Sequence, residues 1–204
     1  MDLTTQHSGL RSLFVLTTLG LIGSGSASAQ ATFFATQYQG GSTTKLYRFT
    51  ATGNIDTFIT NQYVTGLTTV PTGMSAGNLN GGAKGGDVIG SRGGLFFRLD
   101  DAFGTNPHWV QIGAGANVPN ASPFFSGSRL MTVGAALPAG AYLSEFNPTD
   151  FSFVSQEAMG VLGSANAGYI QPSGKVWYLD HNYDRLYEYT PGSGVSTHIG
   201  TLPN

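Results

Sequence analysis

The amino-acid sequence predicts an all-β fold made of about four similar strand-rich units, and three observations carry that expectation. The segment beginning at Leu46 overlays the segment beginning at Leu186 for fourteen residues without a gap. Weaker copies of the pattern begin at Leu95 and Leu143, so the four starts are separated by 49, 48 and 43 residues. Outside the first thirty residues no apolar period of 3.6 is sustained, and the 30 glycines and 9 prolines of the chain interrupt it too often for long helices. A period near 45 residues with four short strands per unit is the pattern of a β-propeller. The expected fold is therefore propeller-like, with about four blades of four antiparallel strands in a complete, incomplete or truncated ring.

The first twenty-nine residues read as a secretion signal. Arg11 supplies a positive charge, Leu13-Phe14-Val15-Leu16 through Leu19-Gly20-Leu21-Ile22 form a short apolar run, and Ala27-Ser28-Ala29 provides small residues before a cut at Gln30. The run falls well short of the ~20 residues that span a bilayer. The expected organisation is a signal peptide at 1–29, unpacked and absent from the mature protein, followed by one domain at 30–204 in a secreted, extracellular or wall-associated protein. The chain has no cysteine, so that domain must be held by its core rather than by disulfides.

Within the mature chain the hairpins can be read in order. Leu46-Tyr47-Arg48-Phe49-Thr50 and Thr57-Phe58-Ile59 flank the turn Ala51-Thr52-Gly53-Asn54, as Leu186-Tyr187-Glu188-Tyr189-Thr190 and Thr197-His198-Ile199 flank Pro191-Gly192-Ser193-Gly194. The middle copies are Leu95–Asp100 with Trp109–Gly113, and Tyr142–Asn147 with Phe151–Val154. An upstream hairpin in the last unit, Ala167–Ile170 and Val176–Leu179 around Pro172-Ser173-Gly174, raises its count to four strands. The glycine-rich stretch from Thr72 to Gly94 has no assigned register. The two main hairpins are expected to superpose closely.

The pattern Leu-Tyr-Arg-Phe, polar turn, Thr-x-Ile, together with Asn166-Ala167-Gly168-Tyr169-Ile170-Gln171-Pro172-Ser173-Gly174-Lys175-Val176-Trp177-Tyr178, resembles the secreted propeller-type repeats of unknown function found in fungal and bacterial extracellular proteins. The resemblance covers most of the mature chain and is strongest from Gly168 to Leu202. It implies a β-propeller within an exported or wall-associated protein, and it brings no catalytic residues with it. Such propellers commonly carry more than four repeats.

Charged residues make up 10% of the chain and its formal net charge is −2, which excludes the basic field that nucleic acid or anionic lipid requires. The Gly-x-Ser-x-Gly elbow, the His-Glu-x-x-His helix, the phosphate loop and the cysteine nucleophile are all missing. The densest polar cluster, Asp180-His181-Asn182-Tyr183-Asp184, lies between two expected strands. Its Asp180, Asn182 and Asp184 alternate as calcium ligands do, but Arg185 stands where a calcium loop turns on glycine and Pro191 where it has its bidentate acid, so ordinary turn chemistry is the simpler role. No cofactor is expected beyond that calcium option. The loop from Asp100 to His108 lengthens its hairpin to 17 steps between Leu95 and Ile112, against 13 between Leu46 and Ile59. At its exit His108 and Trp109 are the expected exposed pair, because an indole at a rim stacks on sugar rings. Trp177, Tyr178, Tyr187 and Tyr189 lie on expected strands, where core packing is the simpler role, and His198 is expected to be structural.

The leading expectation is an extracellular binding or scaffold module contacting neutral glycan or protein through His108, Trp109 and residues 180–184. The alternative is a secreted polysaccharide hydrolase or lyase using loop carboxylates such as Asp87, Asp101 and Asp184. Two of these acids converging in one pocket would favour an enzyme; a concave pocket lined by carboxylates and aromatics would favour an enzyme or a lectin; a filled channel would favour a scaffold.

Overall fold

Alternating side chains and glycine turns make the described chain entirely β. The computed structural model describes residues 17–18, 32–38, 43–50, 53–115, 121–136, 140–160, 165–171, 173–180 and 183–202. Four four-stranded antiparallel sheets follow one another along the sequence. The first contains β1 (Thr17–Thr18), β2 (Thr32–Tyr38), β3 (Thr44–Thr50) and β4 (Ile55–Thr60). The second contains β5 (Gly66–Thr69), β8 (Val88–Arg92), β9 (Leu95–Asp100) and β10 (His108–Ala114). A small hairpin of β6 (Ser75–Ala76) and β7 (Ala83–Lys84) interrupts it after β5. The third is β11 (Ala121–Ser126), β12 (Arg129–Ala136), β13 (Gly140–Phe146) and β14 (Phe153–Ala158). The fourth is β15 (Ala165–Ile170), β16 (Val176–Asp180), β17 (Arg185–Tyr189) and β18 (Ser196–Thr201). In each sheet the strands pair in chain order, so each is a meander. The stretch from Thr72 to Gly94, unassigned from sequence, thus supplies β6, β7 and β8.

The sheets stack through three separate cores. Phe34 and Leu46 of the first sheet meet Leu67, Phe97, Leu99 and Trp109 of the second. Ile89, Phe96 and Ile112 on the second sheet's other face meet Leu130, Phe146 and Phe151 of the third. Phe124, Met131, Val133 and Leu143 of the third meet Val176, Tyr178, Tyr187 and Tyr189 of the fourth. The period-2 alternation of β9 serves two cores at once: Phe97 and Leu99 point to the first sheet, and Phe96 points to the third.

One kind of contact recurs at each junction, where the far end of one sheet's fourth strand meets the hairpin joining strands three and four of the next sheet. The Asn61 side chain, one residue beyond β4, brackets the backbone of Trp109, accepting from its N–H at 2.8 Å and donating to its carbonyl at 3.1 Å. In β10, Gly113 lies under Phe151; a Cβ there would come within 2.0 Å of the ring, so only glycine admits the stack of Phe151 on Phe96 at 4.2 Å. Beyond β14 the Met159 carbonyl accepts from Ser196 Oγ at 2.6 Å, and Gly192 N–H donates to Glu157 at 2.8 Å. The four sheets therefore share one orientation. Among the described residues no core joins the fourth sheet back to the first.

One expectation is corrected here: the Leu46 and Leu186 hairpins do not superpose residue for residue, because the fourth sheet pairs one residue out of register with the first. Thr17 and Thr18, inside the segment read as a leader, pair with Phe34 and Phe33 as the short edge strand β1. Among the described residues no helix is long and apolar enough to cross a membrane.

Candidate functional site

The site forms where two irregular segments of the second sheet meet at the same end of that sheet. One is the glycine-rich excursion carrying β6 and β7, and the other is the long turn from Asp101 to Pro107. Between them lies a cleft of about 440 Å³, lined by Lys84, Asp87, Arg98, Asp100, Asp101 and Phe103 among others. Five of the chain's 20 charged residues (9 Lys and Arg, 11 Asp and Glu) stand in this one place.

The backbone of each segment is held by local chemistry. Gly82 has φ +61°, and a Cβ on it would meet the Ala76 carbonyl at 2.6 Å, so no other residue fits the turn. Its carbonyl accepts a hydrogen bond from Arg98 Nη1. Asp87 closes the next turn, its Oδ2 accepting from the Lys84 N–H at 2.9 Å. In the opposite segment Asp101 takes a left-handed φ of 53°, and its Oδ2 accepts from the Asn106 N–H at 2.8 Å. The first sheet clamps this turn from outside: Arg48 Nη1 donates to the Ala102 and Gly104 carbonyls at 3.1 and 2.8 Å. Arg48 is itself steadied by Asp56 at 2.7 Å.

Arg98 points from β9 on the same face as Phe96, toward the β6–β7 hairpin, and grips both oxygens of Asp100. The hydrogen bond from Arg98 holds the Asp100 carboxyl below the usual carboxylate range against the opposing effect of partial burial. Asp100 is therefore an anion at neutral pH and not a proton donor. Phe103 stands at the rim, 61% exposed, its ring touching Phe34 edge-on at 5.8 Å. The cleft thus offers a fixed guanidinium, carboxylates engaged by their neighbours and an accessible aromatic face.

The residues expected to act together are divided. His108, half-buried as the first residue of β10, faces Asp100 across the ladder beside the cleft, its Nδ1 2.9 Å from the Asn106 carbonyl. Trp109 is not exposed. It is 3% accessible and packs with Phe97, Leu99, Val64 and Leu67, because β10 turns its alternate side chains into the core between the first two sheets. The exposed indole is instead Trp177, 38% accessible and donating to Glu188 at 3.0 Å, where the core role expected of it belongs to Tyr178, Tyr187 and Tyr189. Asp180 is buried at the end of β16, Tyr183 is exposed beneath the Arg185 guanidinium, and Asp184 takes a φ of 52°. His181 and Asn182 lie outside the described residues.

The 180–184 turn joins the second and third strands of its sheet, whereas the 101–107 turn joins the third and fourth of its own. With the sheets oriented alike, the two turns stand on opposite sides of the stack, and the third sheet lies between the two sheets that carry them. They do not make one face. Of the three carboxylates named for a hydrolase, Asp87 and Asp101 do reach the same cleft, and Asp184 does not. Among the described residues no three His, Cys, Asp or Glu side chains gather as metal ligands. Sequence reasoning missed Lys84, Arg98 and Phe103. The unusual length of the Asp100–His108 loop was the signal that pointed near them.

No protein-family model matches the chain, and no curated protein matches it. Among solved structures it is similar to a mutant of the Synechocystis apocarotenoid oxygenase, with 9% identity and a TM-score of 0.36. That similarity covers 85% of this chain and 47% of the other, so the chain spans less than half the length of that protein.

Proposed function

We propose that this chain is a secreted, propeller-like binding module that takes a neutral, hydroxyl-rich glycan in the cleft of its second sheet. The observation that carries the reading is the exposed Phe103 ring at the rim of a cleft in which Arg98 pairs with Asp100 and turn N–H groups hold Asp87 and Asp101. The N–H and carboxylate groups there can exchange hydrogen bonds with hydroxyls, and the ring supplies a stacking face. The four like-oriented meander sheets and the leader-like N-terminus support the propeller and export parts of the proposal.

Hydrolysis or lysis is the second reading, favoured by the meeting of Asp87 and Asp101. Two-carboxylate glycoside chemistry needs one acid kept protonated and one ionised. Here Asp100 is held ionised, and one oxygen of Asp87 and one of Asp101 are engaged with turn N–H groups, so binding is the better-supported role.

A screen of plant, fungal and bacterial wall polysaccharides tests the proposal. We expect a hit whose affinity falls by about tenfold in Phe103→Ala, equivalent to about 1.4 kcal/mol. Failure of every polysaccharide to bind would overturn it. Release of new sugar ends that stops in Asp87→Asn would replace it with the hydrolase or lyase.

A further inference from the structure

The stack of four sheets has two ends, and their outer faces are built like the faces buried inside it. In the first sheet Leu46 and Phe58 turn toward the second sheet, so Phe33, Tyr47, Phe49, Ile55 and Ile59 occupy the far face. There Phe33 and Phe49 stack at 5.6 Å, while Ile55 and Ile59 are 66% and 64% exposed. In the fourth sheet Val176, Tyr178, Tyr187 and Tyr189 turn toward the third, leaving Trp177, Leu179 and Leu186 on the far face. Apolar strands open to water on this scale mark interaction surfaces.

The three internal junctions say what covers them. At each, the fourth-strand end of one sheet engages the third-to-fourth hairpin of the next, so every junction is made from two unlike halves. The first sheet's far face is the half that receives a preceding sheet, and the fourth sheet's far face is the half that receives a following one. One chain therefore carries both halves of a fourth junction at its two ends. Lys45 is seated over Tyr47 on the first face, and on the last face Glu188, already paired with Lys175, anchors Trp177. We propose that a second copy of this chain supplies the missing contact, the fourth sheet of one copy stacking on the first sheet of the other. Made twice about a two-fold axis, this unlike contact closes a ring and leaves no end exposed. The inference rests on the stacking of the sheets and is independent of what the cleft binds.

The absence of cysteine from the chain makes the test clean. The chain carrying both Ile59→Cys and Trp177→Cys, expressed in an exporting host and treated with a short bis-maleimide, should yield a covalent product of two chains. Neither single-cysteine variant should cross-link alone, but their mixture should. Light scattering on the unmodified protein should read two chains, and Ile59→Asp should weaken that association at least tenfold, whereas Val154→Asp on the third sheet's outer strand should not. Far-UV circular dichroism confirms that each variant is folded. A cross-link confined within one chain, or a single-chain mass with unreactive cysteine pairs, would overturn the proposal.

Discussion

In the first sheet Leu46 stands opposite Phe58, whereas in the fourth sheet the residue that aligns with it, Leu186, stands opposite Gly200. Five residues separate the paired ends Phe49 and Ile55, and six separate Tyr189 and Ser196. Leu46 is fully buried with Tyr47 half-buried on the other face; in the fourth sheet it is Tyr187 that is buried and Leu186 that is half-buried. A one-residue slip between the paired strands turns the side chains of β17 to the face opposite that of their β3 counterparts, while His198, opposite Tyr187, keeps the face that Phe58 holds opposite Leu46. The cause lies outside the hairpin. The fourth sheet's turn is docked on the third sheet, where Gly192 bonds Glu157 and the Gly194 carbonyl would lie 2.5 Å from a Cβ on Gly160. The turn therefore adopts left-handed conformations at Gly192 and Gly194 and takes up one residue more. Among the described residues no sheet precedes the first to impose this. Two hairpins with one sequence pattern thus turn opposite faces of their first strands to their cores.

The largest expected effect separates the two leucines. Leu46→Ala should destabilise the protein by about 2–5 kcal/mol, as cavity-forming core truncations do, and Leu186→Ala by about 1 kcal/mol or less. Tyr187→Ala should join Leu46 in the large class and Tyr47→Ala should not. Chemical denaturation of the four variants checks this; equal losses for the two leucines would mean that the registers are the same.

A smaller effect follows from Tyr178, against which the slip packs Tyr187 in the fourth sheet's core. Tyr178 stacks on Tyr187 at 5.4 Å and donates to Ser196 Oγ at 2.8 Å. Burial pushes its hydroxyl up to about 12. The unfolded chain ionises near 10, so this contribution is complete below that pH and is lost as pH rises toward 12, by about 3 kcal/mol in all. Denaturation midpoints measured from pH 8 to 12 should fall over the upper part of that range, and Tyr178→Phe should flatten the fall.

The smallest effect concerns the first strands of these two sheets. The fourth sheet is completed by the six residues of β15, the first by the two of β1. Starting the chain at Gln30 should lower the melting temperature by no more than about 3 °C, the scale of one kcal/mol in a domain of this size. A larger drop in calorimetry would make residues 1–29 part of the folded domain rather than a leader.

What could be read from residues alone is the strand content, the four units, one hairpin in each and a second hairpin in the last. Alternation of apolar and polar side chains, and glycine or proline in the turns, act locally and leave their mark in the order of the amino acids. The repeat even located the long turn of the second sheet. The register of the fourth hairpin, the burial of Trp109 in place of Trp177, and the gathering of Lys84, Asp87, Arg98 and Phe103 around one cleft had no such mark. Each depends on which face of a strand meets a neighbouring sheet and on turns fixed by contacts far along the chain, such as Arg48 on the Ala102 carbonyl. Those contacts are made only when the sheets stack, and they alone decided which of the two tryptophans water can reach.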